Sequence, residues 1–241
     1  MRSLGIDVGQ HHHDAVLLDG RAVVDAPVRF SDASRLRGLL EAWRPEVVAI
    51  DSPPCFAPGG TSRWAERSLH RRGIRIFPCP CAERAEGNAF FDWMRAGFGL
   101  FAAAAEAGFP VSVDSSAVRG RTVEVFPHGS AVTLRGARPA AGTTRSTRRK
   151  RAWRSQVLAD NGVHVGAGCT IHQVDAALAA FTGARALEGA ASGVGRPEEG
   201  VISSYPSGRF TTGMSPRAGP LDHFNATIRA RAPAKRYSHR P

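Results

Sequence analysis

Cysteine is scarce in this chain. The four present, Cys55, Cys79, Cys81 and Cys169 among 241 residues, are too few for a disulfide scaffold and fit a reduced, cytoplasmic protein. Cys79 and Cys81 stand one residue apart, which is not the spacing of a zinc or redox pair. No apolar run approaches the roughly 20 residues that cross a bilayer, and the chain opens directly on a strand-like segment rather than on a leader. No internal repeat is visible. Acid is also short, at 21 Asp and Glu against 32 Lys and Arg. That excess is localised. Residues 206–241 hold seven Lys or Arg and one Asp, and TRSTRRKRAWR at 144–154 holds six and no acid. The remainder is a near-neutral body, so the net charge of +11 marks two segments able to meet phosphate rather than a uniformly basic protein.

What is present is alternating strand and helix pattern. SLGIDVG, DAVLLDG and AVVDAPVRF predict three strands, with a tight turn at Gly20-Arg21 making the last two antiparallel. SDASRLRGLLEAW predicts a helix capped at Ser31 or Asp32, with Leu36, Leu39, Leu40 and Trp43 on one face. EVVAID follows as a buried strand. A strand reached through a helical crossover pairs parallel with a neighbour, so the sheet is expected to be mixed. A loop with three prolines then leads to a short helix, SRWAERSLHRRG, and a short strand, IRIFP. Beyond it come a long helix, NAFFDWMRAGFGLFAAAAEAG, a strand, RTVEVFP, and three more helices, the last being IHQVDAALAAFTGARALEG. Past Tyr205 the periodicity stops. The expected organisation is one α/β domain over 1–205 and a basic tail without fixed structure over 206–241.

Four acids sit where apolar residues belong. Asp7 interrupts the first strand and Asp51 ends VVAID. Glu124 interrupts TVEVF, and Asp175 shares a helical face with Ile171, Leu178 and Thr182. Each has a plain structural role open to it: Asp51 as a turn cap, Glu124 facing solvent, Asp175 paired with an arginine. Together they admit another, because carboxylates converging at one sheet edge repel unless a cation lies among them. Oxygen donors alone favour Mg2+ or Mn2+ over zinc. A pair of such ions activates a water and stabilises the leaving oxygen of a phosphodiester.

GIDVG, AIDSPPCFAPGGTSRWAERSLHRRGIRIFP, VEVFPHGS and VDAALAA resemble the family catalogued as domain of unknown function 429, bacterial and archaeal proteins described as predicted nucleases. The resemblance runs from about Leu4 to Ile202. It implies a ribonuclease H-like core: a mixed five-stranded sheet, three strands in an antiparallel meander plus parallel strands, flanked by helices. It also implies that Asp7, Asp51, Glu124 and Asp175 are the metal-binding, catalytic acids of a nuclease acting on DNA or RNA.

LGIDVGQHHHDAVLLDG resembles as well the first phosphate segment of the actin, Hsp70 and sugar kinase ATPases. The second Gly-rich phosphate hairpin of those proteins is missing downstream. An ATP-dependent phosphotransferase therefore stands as one alternative, and a non-catalytic nucleic-acid-binding module as another. For substrate contact the candidates are Arg63 and Arg67, which follow the loop after Asp51, and Arg148, Arg149 and Lys150 in the basic segment. His128, just beyond the Glu124 strand, is the candidate for proton transfer, with the opening of a helix as its plain role. The His11–His13 triplet is expected to be an exposed turn. The aromatics of FFDWMRAGFGLF are expected to be core before base-stacking.

Overall fold

A computed structural model describes residues 1–114 and 117–204. The expected tail, 206–241, lies outside them. β1 (Arg2–Val8) and β2 (His13–Asp19) pair antiparallel in register from Arg2↔Asp19 to Val8↔His13. The third meander strand is split into β3 (Ala22–Val23) and β4 (Val28–Phe30), both on β2. Pro27 sits in the gap, where it lacks the donor that an unbroken ladder needs. Helix α1 (Ser34–Trp43) crosses to β5 (Val47–Asp51), which lies parallel to β1. Asp32 does serve the start of α1, its carboxylate accepting the Ser34 amide at 2.9 Å.

Two short helices, α2 (Trp64–Arg71) and α3 (Ala82–Ala85), and the longer α4 (Asp92–Glu106) lead to β6 (Arg121–Val125), parallel to β5. Then come α5 (Pro127–Arg135), α6 (Thr147–Asp160) and α7 (Ile171–Leu187). A closing hairpin, β7 (Ser192–Arg196) and β8 (Gly200–Ser204), docks β8 parallel on β6. The sheet order is β3-β2-β1-β5-β6-β8-β7, with β4 also on β2. A meander on one side of β1 and parallel strands on the other make the ribonuclease H-like arrangement.

Among the described residues the sheet has eight strands, where five are expected. Splitting the third strand accounts for one, and the Gly-rich β7–β8 hairpin for the other two. Gly195 in that hairpin has φ +156°, and a Cβ there would lie 2.3 Å from the Gly200 carbonyl. IRIFP is not a strand. Ile74 is buried against Ala65 and Leu69 of α2, and the Ile76 amide donates to His70 Nε2 at 3.4 Å. Both sides of β5 are already filled by β1 and β6, so this segment lies over α2 instead of joining the sheet there.

Alternation divides the strands between two layers. Leu4, Ile6, Ala15, Leu17, Val48 and Ile50 meet α1 and α4, while Val16 and Leu18 meet α6 and α7. Helix α7 lies directly on β1. A Cβ at Gly5 would fall 2.1 Å from the Ala176 carbonyl and 2.2 Å from the Ala180 amide, so only glycine admits this approach. That contact carries Asp175, beside Ala176, to the strand end that bears Asp7. Among the described residues no helix is long and apolar enough to cross a membrane.

Candidate metal centre

Asp7 and Asp51 are register partners at the C-terminal ends of parallel strands β1 and β5. Strand neighbours lie about 4.8 Å apart, and partners in register project to the same face. Alternation puts Asp7 on the Gly5 face, under α7, where Asp175 arrives from the first turns of the helix. Asp7 and Asp175 are buried and Asp51 is half-buried. Asp14, opposite Asp7 on β2, is held by Arg29 at 3.0–3.3 Å.

The three clustered acids are incompletely neutralised. His172 Nδ1 donates to Asp7 Oδ2 at 2.8 Å, and Arg154 of α6 pairs with Asp175 Oδ2. Asp175 Oδ1 is buried without a partner, and no hydrogen bond reaches the Asp51 carboxylate among the described residues. Burial holds the Asp51 carboxyl well above its ordinary range, and the charges of Asp7 and Asp175 push the same way. Burial raises Asp175 to about 6, with Arg154 pulling it back and Asp7 adding to the rise. The Asp7 hydrogen bond raises His172, against burial. Among the described residues no three acids, histidines or cysteines already stand in an ion-gripping array. The donor set nevertheless suits a hard dication: it has an open carboxylate at Asp51, an orphan oxygen on Asp175 and repulsion to relieve.

Glu124 does not join this cluster. Its register partner is Ile50, one residue short of Asp51, so alternation sends it to the other face. There Arg63 grips both its oxygens, at 2.8 and 2.6 Å, and also takes Glu66 Oε1 at 2.8 and 2.5 Å. The Arg63 amide donates to Glu66 Oε2 at 2.6 Å, closing the start of α2. Arg63 is 1% exposed. Glu124, expected to bind metal, and Arg63, expected to bind substrate, are thus engaged by each other, away from solvent and apart from Asp7, Asp51 and Asp175. Arg67 turns back onto the Ser62 carbonyl.

His128 lies between Phe126 and Trp153, ring centroids 5.8 and 5.9 Å away, with Nδ1 buried and unpartnered. Burial, then the charges of Arg154 and Lys150, lower it to about 4. An imidazole with its proton affinity so lowered is neutral at pH 7, and its place between Phe126 and Trp153 is that of a packed core side chain. Arg148 and Arg149 are exposed in the first turn of α6, and Lys150 is half-buried, close enough for its charge to act on Asp175.

The family described as "Protein of unknown function (DUF429)" matches residues 5–199. The chain belongs to that family. No curated protein matches this DUF429 chain. Among solved structures, RuvC of T. thermophilus in complex with a Holliday junction substrate is similar, at 16% identity and TM-score 0.46, covering 78% of this chain and 96% of that one. A second Thermus thermophilus RuvC structure is similar at 18% identity and TM-score 0.44, covering 78% and 97%.

Two residues of the DUF429 site escape the sequence reading. His172 is three residues before Asp175, the spacing that puts two side chains on one helical face, and that spacing could have found it. Arg154 hides among six basic residues. Its one distinguishing sign is that Val157 and Leu158, three and four residues on, form the buried face of α6.

Proposed function

We propose that the chain is a divalent-cation-dependent phosphodiester hydrolase acting on nucleic acid, in the cytoplasm, with Mg2+ or Mn2+ as the cation. Asp7, Asp51 and Asp175 would hold the ion, with His172 steadying Asp7. The observation that carries this reading is the approach of three carboxylates from β1, β5 and α7, one that accepts no hydrogen bond among the described residues and another with an orphan oxygen among them. A fold tolerates such crowding poorly for stability alone.

When bound, a hard dication supplies Lewis acidity toward a phosphoryl oxygen and a more acidic water. The chain supplies the rest. Asp51, whose carboxylate accepts no hydrogen bond among the described residues, would be the ligand most open to the ion, whose charge would offset the burial and the Asp7 and Asp175 charges that raise its proton affinity. Asp7 is oriented by His172, and Asp175 by Arg154. Arg148, Arg149 and Lys150, on the helix that also carries Arg154, form the contact to the nucleic-acid backbone.

The test is a cleavage screen over single-stranded and duplex DNA, RNA and DNA–RNA hybrids with Mg2+, Mn2+ or chelator, comparing wild type with Asp7→Asn. Cation-dependent cleavage that Asp7→Asn abolishes is the expected result. Cleavage equal in both, or none on any substrate, overturns the reading.

A further inference from the structure

Arg154 occupies the buried face of α6, beside Val157 and Leu158, where an apolar side chain would be expected. Its side chain is 8% exposed. Burying a guanidinium costs several kcal/mol unless its partners compensate fully. Here they do not. One terminal nitrogen reaches Asp175 Oδ2, while Arg154 Nε and Asp175 Oδ1 are both buried and without hydrogen bonds among the described residues. Arg63, buried more deeply still, meets carboxylate oxygens through all three of its nitrogens.

We infer that Arg154 is a resident cation of the acid cluster, standing where a second metal would otherwise go, so that the site takes one divalent ion and not two. This rests on the reading of the cluster as a cation-dependent centre. Three carboxylates against the guanidinium of Arg154, with Lys150 and His172 also close by, leave at most two negative charges uncompensated, no more than a single dication supplies. A second ion would overcompensate the cluster and meet the guanidinium at Asp175. Lys150, whose charge also reaches Asp175, adds to the repulsion. Arg154 is thus a charge-balancing and positioning residue acting through Asp175. In this arrangement the guanidinium of Arg154 stands in for the second of the two ions that converging carboxylates suggest.

The test is Mn2+ binding to the full chain, followed by calorimetry and by the Mn2+ paramagnetic signal, for wild type, Arg154→Lys and Arg154→Gln. Wild type and Arg154→Lys should bind one Mn2+ per chain. Arg154→Gln should bind its first Mn2+ at least about tenfold more tightly, because a unit charge within several ångströms is removed, and should accept a second. Without metal it should melt below wild type and recover on adding Mn2+. Two ions in wild type, or unchanged or weaker binding in Arg154→Gln, would overturn the inference while leaving the centre itself standing. Absence of binding in every protein would remove the centre and the inference together. If Arg154→Gln does not fold, the wild-type stoichiometry decides: one ion supports the inference and two reject it.

Discussion

Among the described residues two arginines are buried, Arg63 and Arg154, and their surroundings differ. Arg63 lies between Glu66 and Glu124 with its donors matched to oxygens, at a junction of α2, β6 and the β7–β8 turn, where Glu199 also contributes its carbonyl at 3.3 Å. Arg154 lies against Asp175 with one contact made and a donor and an acceptor left over, at the rim where β1 and β5 end. A complete ionic network closes a fold; an incomplete one beside further acids is ready for another charge. The difference separates architecture from site more sharply than residue type does, since both are arginine–carboxylate pairs.

The largest effect should come from the complete network. Arg63→Met leaves Glu66 and Glu124 buried without their cation, and the chain should lose about 3–5 kcal/mol in urea unfolding. That loss should be the same with and without Mg2+. A loss that Mg2+ restores would place Arg63 in the site and erase the contrast.

His128, which feels the charges on α6, comes next. Its folded-state pKa of about 4 lies below the ordinary 6.5, so the folded chain keeps it neutral while the unfolded chain protonates it. The associated stability is present above pH 6.5 and is lost as the pH falls toward 4, amounting to roughly 3 kcal/mol at most. His128→Leu should flatten the stability curve between pH 7 and 5 while leaving Mn2+ binding intact. An equally steep acid loss in the variant would show that another group carries it.

Asp51 should behave in the opposite sense to a structural acid. Replacing it by Asn relieves repulsion from Asp7 and Asp175, so the metal-free chain should gain about 1 kcal/mol. Cleavage should disappear. A less stable Asp51→Asn with activity intact would make Asp51 a turn cap after all. The smallest effect is at Lys150. Lys150→Gln should lower the slope of log K against log salt for duplex DNA by about 0.9, the value of one phosphate contact, and an unchanged slope would take Lys150 off the binding surface.

Much of this was legible in the sequence, and the exceptions have physical causes. Strands β1, β2 and β5 and helices α1, α4 and α7 follow from apolar periodicity, and Asp175 on the inner face of α7 follows from 3.6-residue spacing. The separation of Glu124 from Asp7 and Asp51 is not legible in the sequence, because alternation within β6 shows that Glu124 opposes Val123 and Val125 but not how β6 is registered on β5. A shift of one residue reverses the face. The lock by Arg63 joins residues 61 apart in sequence, which no local pattern records. The β7–β8 hairpin was invisible because ASGVGRPEEGVISS is rich in glycine, and its ordering comes from docking on β6 rather than from its own propensity. His172 was readable from its spacing to Asp175, whereas the burial of Arg154 depends on which side of α6 meets α7.

Thermal unfolding with and without Mn2+, run in parallel on wild type, Asp51→Asn and Glu124→Gln, separates the two regions in one experiment. Mn2+ should raise the melting temperature of wild type and, from its lower baseline, of Glu124→Gln, but not of Asp51→Asn. A full Mn2+ shift in Asp51→Asn, or one abolished in Glu124→Gln alone, would mean that the ion does not sit among Asp7, Asp51 and Asp175.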